Sequence, residues 1–242
     1  MTDAAAVAQV LLVEDEAALA QNYALALQRA GFAVHAVATP ADAVAFIERG
    51  LPDMALIDVG LGRDADAGFE LCRLLRARAE RLPILFLTAR DDELDVISGL
   101  RLGADDYLTK DISLAQLVAR VQSVLRRVAA LGRPADPAGD RTLGSLVLDL
   151  ERLAARWDGA AVPLTVTEFH LVAALAQRPG HVLSRGQLMQ AAGVVLDDQT
   201  ITAHVKRIRR KFEALDARFA SIGTVYGLGY RWVDSSLDAP CD

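Results

Sequence analysis

The first half of the chain alternates short apolar runs with amphipathic stretches, and that rhythm admits few folds. Gln9–Val13, Ala33–Val37, Met54–Val59, Ile84–Thr88 and Asp106–Thr109 read as strands bounded by Gly, Pro or acidic residues. Glu16–Ala30, Ala41–Arg49, Phe69–Ala79, Glu93–Leu102 and Leu114–Val128 carry apolar residues at helical spacing between and after them. Five strand–helix repeats imply a parallel sheet covered on both faces, because parallel strands need crossover connections. The expected class of this half is α/β, a five-stranded doubly wound parallel sheet. Ligands of such sheets sit outside the carboxyl ends of the strands.

Ala129–Arg141 holds two Pro and two Gly with no apolar period, and reads as a linker. Beyond it, short strand-like runs at Leu143–Asp149, Leu153–Trp157 and Ala160–Pro163 precede helical stretches at Thr167–Gln177, Ser184–Ala191 and Gln199–Leu215. Ser221–Val233 alternates apolar and polar residues around Gly227 and Gly229, which suggests a hairpin. The expected organisation is therefore an N-terminal domain over 8–128, a linker over 129–141 and an α+β domain over 142–234.

Composition narrows the function classes. Of 242 residues, 52% are hydrophobic and 24% charged, enough to bury two cores, so wholesale disorder is excluded. No apolar run approaches the roughly 18 residues that a bilayer span needs, so no membrane partner is expected. The N-terminus lacks the basic start and apolar stretch of a secretory signal, and Cys72 and Cys241 form no CxxC or disulfide framework, which points to a cytoplasmic location. Residues 1–128 carry 13 basic and 19 acidic residues, whereas 129–242 carry 13 of each. Within the second half, Lys206, Arg207, Arg209, Arg210 and Lys211 put five cations into six positions. Overall acidity therefore does not exclude a nucleic acid partner.

Several polar residues fall at strand ends in the first half. Glu14 and Asp15 follow the first strand, Asp58 ends the third, Thr88 ends the fourth, and Lys110 follows the fifth. Carboxylates gathered at one point repel unless a cation compensates, and oxygen ligands without His or Cys favour Mg²⁺. A carboxylate beside Mg²⁺ and a Lys is equipped to accept a phosphoryl group. His35, His170, His181 and His204 are scattered without zinc-ligand spacing.

These residues carry a resemblance. Val-Glu-Asp at 13–15, ALIDV ending past Asp58, LTAR at 87–90 and GADDYLTK at 103–110 are similar to the receiver domain of bacterial two-component response regulators. The spacing agrees, with 43 residues from Asp15 to Asp58, 30 more to Thr88 and 22 to Lys110. The resemblance implies a flavodoxin-like receiver with Asp58 as phosphoacceptor and Asp15 as a direct Mg²⁺ ligand. It further implies Glu14 acting on the metal through water, the Gly60 carbonyl as a third protein ligand, Thr88 and Tyr107 as a switch pair, and Lys110 on the phosphoryl group. A sensor histidine kinase is the implied donor. The face made by the fourth helix, fifth strand and fifth helix is the implied homodimer surface, with Asp105, Asp106, Arg120 and Arg127 in the charge pattern.

Residues 143–233 resemble the winged helix-turn-helix effector domain of the OmpR/PhoB subfamily through LTVTEFHLVAALAQRPGHVLSRGQLM at 164–189, QTITAHVKRIRRKF at 199–212 and TVYGLGYRW at 224–232. Ile201, Val205, Ile208 and Phe212 bury one face of the recognition helix, leaving a basic ridge suited to the major groove of double-stranded promoter DNA. By position, Thr200, His204, Arg207 and Arg209 match the family's DNA-contact sites; Lys206 and Arg210 of the basic ridge are expected to contact DNA with them, and Thr224 and Tyr226 would lie in the wing. Glu168 is expected to build the core or a helix start. RNA polymerase is a further candidate partner.

The chain departs from the family pattern at definite places. The loop GLGRDADAG after Asp58 has Gly62 in place of the usual Pro and is two residues longer. Lys110-Asp111 replaces Lys-Pro, and a cis bond before Asp would cost roughly 3 kcal/mol, so a trans bond and a displaced Lys110 are expected. Gly60 and Arg90 occupy positions that gate water attack on the phosphoryl group. Val96 and Gln116 replace an ion pair in the dimer face. Gln199 and Tyr226 stand where Arg is common, which predicts weaker and less salt-dependent DNA binding. The AAGVVLDD segment lacks the usual aromatic-Gly pair of the polymerase-contacting loop. Two rivals stay open at this level: a hydrolase with Asp58 as nucleophile, and a constitutive DNA-binding protein whose receiver is only a scaffold.

Overall fold

A computed structural model describes residues 7–89, 103–130, 141–192 and 198–233. Contacts within the chain divide it into two compact units, Met1–Leu125 and Arg126–Asp242. In the first, β1 (Gln9–Val13), β2 (Ala33–Val37), β3 (Met54–Ile57), β4 (Ile84–Thr88) and β5 (Asp106–Thr109) form one parallel sheet in the order β2-β1-β3-β4-β5. The reversal of strand order beside β1 puts the carboxyl ends of β1 and β3 side by side, with Val13 paired to Ile57. Apart from Gln9, β1, β3 and β4 are buried throughout, so their apolar runs are continuous rather than alternating.

Side-chain alternation sorts these strands into two cores. Val10, Leu12, Met54, Leu56, Leu85 and Leu87 face Tyr23 and Leu27 of α1 (Ala17–Arg29) and Leu117, Val121 and Val124 of α4 (Leu114–Ala130). Leu11, Val13, Ala55, Ile57 and Phe86 face Ala43 and Ile47 of α2 (Pro40–Ile47) and Leu71, Cys72 and Leu75 of α3 (Ala67–Arg78). The helix expected over Glu93–Leu102, with Val96, and the position of Arg90 lie outside the described residues. Helix α4 runs on through Ala130, so the expected linker begins inside a helix, and its remainder, 131–140, lies outside the described residues.

The second unit opens with an antiparallel sheet of β6 (Arg141–Leu143), β7 (Leu146–Asp149), β8 (Ala154–Trp157) and β9 (Ala160–Val162). The run expected as one strand over Leu143–Asp149 is two, folded back at Gly144, whose φ of +55° suits a tight two-residue turn. Three helices follow: α5 (Val166–Gln177), α6 (Arg185–Ala192) and α7 (Asp198–Glu213). Thr165 caps α5, receiving the Glu168 N–H while the Glu168 carboxylate receives the Thr165 N–H. The hairpin of β10 (Ile222–Val225) and β11 (Gly229–Trp232) closes the unit. Tyr230 exchanges backbone hydrogen bonds of 2.8 and 3.0 Å with Leu183, and a Cβ on Gly229 would lie 2.0 Å from the Leu183 carbonyl oxygen. Only glycine permits that approach. Trp157, Phe212, Phe219 and Trp232 fill the core beneath, with Phe212 stacked on Phe219 at 4.5 Å.

Candidate functional site

Because β1 ends at Val13 and β3 at Ile57, the next residues of both strands meet above the sheet. Asp58 N–H donates to the Val13 carbonyl at 2.9 Å, which continues the ladder and fixes the Asp58 backbone. One carboxylate oxygen each from Glu14, Asp15 and Asp58 lies within 4.8 Å of the other two; Glu14 and Asp58 are buried and Asp15 is exposed. Lys110 Nζ donates to Asp58 Oδ2 and to Glu14 Oε1, each at 2.8 Å. Its backbone N–H donates to the Thr88 carbonyl at 2.7 Å, tying the end of β5 to the end of β4. The Lys110–Asp111 bond is trans, as expected. Across this trans bond the Lys110 side chain reaches Asp58.

The electrostatics follow from this crowding. Burial raises the carboxyls of Glu14 and Asp58 above their ordinary values, and the hydrogen bond and charge of Lys110 offset part of the rise. Burial would lower Lys110, but its two carboxylate partners hold it above its ordinary value. The backbone N–H groups of Gly60 and Val59 also donate to Asp58. Three carboxylates served by one ammonium leave the cluster net negative, and an all-oxygen donor set of this charge fits a hard divalent cation such as Mg²⁺.

The surrounding residues hold this arrangement. Gly68 opens the first turn of α3 directly on Asp58, where an added Cβ would lie 2.1 Å from the Asp58 carbonyl oxygen. Thr88 is buried at the end of β4. Tyr107 is half-buried, its ring edge-on to Phe86 at 6.0 Å.

Asp105 requires a correction. It is fully buried, pairs with Arg76 of α3 at 2.6 Å and accepts the Ile84 N–H at 3.0 Å, so it faces the interior and not the expected dimer surface. The physical reason is Arg76, which also donates to the Gly103 carbonyl at 2.8 Å and to those of Glu80 and Leu82. Asp106 pairs instead with Arg120 of α4 at 3.4 Å within the same chain. The side chain of Arg127 lies outside the described residues.

The recognition helix also departs from the reading by pattern. Thr200 and His204 are buried and not on an outward ridge. Arg207 donates to the buried carboxylate of Glu168 and to His204 Nδ1 at 3.0 Å, while Lys211 donates to Glu168 at 2.7 Å. Positions 200, 204, 207 and 211 share one helix face, and Glu168 at the start of α5 draws that face inward. Burial alone would raise Glu168, but Arg207 and Lys211 outweigh it and hold the carboxyl at about 2.

Arg209 is committed to the wing, donating to the Ile222 carbonyl at 2.6 Å and to Thr224 Oγ1 at 2.8 Å. The outward stripe of the helix is Thr202, Lys206 and Arg210; on the hairpin, Thr224, bonded to Arg209, and Tyr226 are exposed. Tyr226 is 94% exposed at the hairpin tip. One residue that pattern alone did not mark joins this surface. Arg185 of α6 lies over the Tyr230 ring at 5.7 Å and donates to Thr202 Oγ1 at 3.4 Å. Only the fold brings α6 beside α7, so no local signal marked Arg185. The side chain of Gln199 and residues 193–197 of the preceding segment lie outside the described residues.

Comparison with known proteins agrees with this division. Residues 10–122 match the response regulator receiver domain family, and residues 159–232 match the C-terminal domain family of transcriptional regulatory proteins. The sensory transduction protein RegX3 of Mycolicibacterium smegmatis is 40% identical over 225 residues, covering 92% of this chain and 97% of that protein. The transcriptional regulatory protein BaeR of Escherichia coli O6:H1 is 38% identical over 229 residues, covering 93% and 92%. Among solved structures, a RitR mutant is similar in fold, with a TM-score of 0.75 at 23% identity over 94% of this chain and all of that one. The response regulator DrrB, a Thermotoga maritima OmpR/PhoB homologue, gives 0.51 at 25% identity, covering 94% and 99%. With a receiver fold, an acid pocket bridged by lysine and a winged helix in one chain, this protein belongs to the OmpR/PhoB family of two-component response regulators.

Proposed function

We propose that this regulator is phosphorylated on Asp58 by a sensor histidine kinase, dimerises through its receiver and binds promoter DNA through α7 and the β10–β11 wing. The observation that carries the reading is Lys110 Nζ at 2.8 Å from both Asp58 and Glu14, at the carboxyl edge of the sheet. An Asp58 carboxylate oxygen attacks the phosphorus of a phosphohistidine donor, a P–O bond forms, the P–N bond breaks and the imidazole leaves. Asp15, Asp58 and the Gly60 carbonyl would hold Mg²⁺, with Glu14 acting through water. The metal would supply positive charge that offsets the transferring oxygens. Lys110, already on Asp58, turns to the new phosphoryl oxygens.

Thr88 and Tyr107 are the proposed switch pair. The Thr88 hydroxyl meets the phosphoryl group, and the half-buried Tyr107 ring shifts inward behind it. This biases a two-state equilibrium of the dimer face, which retains Asp106, Arg120 and Arg127 and loses Asp105. On the effector side, Lys206 and Arg210, with Arg185, Thr202, Thr224 and Tyr226, form the DNA-contacting set. Thr200, His204, Arg207 and Arg209 act by shaping the helix and wing. Binding to tandem or inverted half-sites, a contact with RNA polymerase and a cytoplasmic location complete the reading. Among the described residues no helix is long and apolar enough to cross a membrane.

The test is selection of genomic DNA fragments by the full chain, with and without a small acyl phosphate donor and Mg²⁺. The phosphorylated protein should enrich defined fragments and sediment as a dimer, whereas Asp58→Asn should do neither under either condition. Equal enrichment by both proteins would overturn the phosphorylation reading.

A further inference from the structure

The two extra residues of the β3–α3 loop are folded into a definite shape. Leu61 and Asp64 exchange backbone hydrogen bonds of 3.2 and 3.3 Å, closing a small hairpin with Gly62 and Arg63 at its tip. Both flanks are fixed: Leu61 is buried, and the Gly68 N–H donates to the Val59 carbonyl at 2.8 Å. Asp66 N–H donates to Asp64 Oδ1 at 2.9 Å, locking the exit of the hairpin. The insertion is thus absorbed at the tip, and α3 still presses on Asp58.

At that tip, Gly62 takes a φ of +67°, and its N–H donates to Asp15 Oδ2 at 2.9 Å. This is the one hydrogen bond of the Asp15 side chain among the described residues. Asp15 is the exposed member of the acidic trio, and repulsion from Glu14 and Asp58 would otherwise turn it toward water. A hydrogen bond from an amide to a carboxylate is stronger than one between neutral groups, and here it engages Oδ2 alone.

We propose that the Gly62 amide is a positioning group: the lengthened loop holds Asp15 within the acidic cluster and thereby sets the affinity of that cluster for a divalent cation. The proposal rests on the reading of Asp15 as a metal ligand. Partners of metal-ligating carboxylates typically change metal affinity by about 10- to 100-fold when removed. The alternative is a hydrogen bond that stiffens the loop and leaves cation binding alone.

The test is a Mg²⁺ titration of the full chain by calorimetry, with the Gly62 amide followed by NMR and the thermal midpoint measured without metal. Gly62→Asn tolerates the left-handed conformation and keeps the N–H, so it should bind Mg²⁺ within about twofold of wild type. Gly62→Pro lacks the N–H and cannot adopt that φ, so it should bind about tenfold more weakly. Should the proline variant unfold, deleting Asp64 and Ala65 removes the hairpin and should give the same loss. Unchanged affinity in a folded variant without the tether would overturn the proposal. Absence of Mg²⁺ binding by wild type would overturn the metal-site reading, and the tether with it.

Discussion

Arg207 donates its guanidinium to the wholly buried carboxylate of Glu168, 39 residues earlier in the chain, and Lys211 completes the pair as a triad. The recognition helix is therefore held on the body of its domain by charge as well as by Ile201, Val205, Ile208 and Phe212. Removing the carboxylate alone would strand two cations against apolar neighbours. Glu168→Gln should destabilise the effector unit by about 3–5 kcal/mol, the usual cost of breaking a buried pair from one side. Urea unfolding followed by the fluorescence of Trp157 and Trp232, both in that unit, measures it directly. A loss below about 1 kcal/mol would mean that the triad is not a main support of the helix.

The same triad imposes a pH dependence. Glu168 is held at about 2 in the folded protein against an ordinary 4.5. A folded-state value below the unfolded one gives stability that is complete above pH 4.5 and is lost as pH falls toward 2. The shift corresponds to on the order of 3 kcal/mol. Tryptophan-detected stability of the effector unit should therefore decline as pH falls from 4.5 toward 2. Glu168→Gln should remove that part of the pH dependence.

DNA binding should depend on the outward stripe. Lys206→Ala and Arg210→Ala should each weaken binding and lower the slope of log affinity against log salt by about 0.9 for each phosphate left without its cation. Tyr226→Arg should steepen the slope by a similar amount. Binding isotherms at several salt concentrations distinguish these effects. Thr200→Val should act through stability, with an unchanged salt slope.

The clamp of Arg76 on Asp105 gives a separate prediction for the dimer face. Arg76→Met leaves a buried carboxylate without its guanidinium and should cost the receiver about 3–5 kcal/mol. Asp105→Asn should lower stability while leaving the dimerisation of phosphorylated protein unchanged, and Arg120→Ala should weaken that dimerisation. Sedimentation of the phosphorylated variants reads the difference.

How much of this was legible in the sequence follows from the range of each interaction. The limits of β1, β2, β4 and β5 agree with the runs read from the sequence; in β1 and β4 burial on both faces writes the strand in consecutive apolar residues, whereas β2 is largely exposed and β5 alternates. Glu14, Asp15, Asp58 and Lys110 were legible as a set because each falls at a strand end, and the sheet brings strand ends together. The burial of Asp105 was hidden, since its partner Arg76 lies 29 residues away on α3. The inward face of α7 was hidden for the same reason. Periodicity marks Ile201 and Val205, but a distant carboxylate decides where Arg207 and Lys211 point. The hairpin at Gly62 combines local turn chemistry with a hydrogen bond to Asp15, 47 residues away, that no local pattern encodes.

The most direct test of the central claim is the intact mass of the protein after incubation with Mg²⁺ and a small acyl phosphate. Wild type should gain a single phosphoryl group, Asp58→Asn should gain none, and Lys110→Met should gain it about 10²-fold more slowly, the scale of losing one preorganised charge interaction. No adduct on wild type, or an equal adduct on Asp58→Asn, would contradict the assignment of Asp58 as the phosphoacceptor.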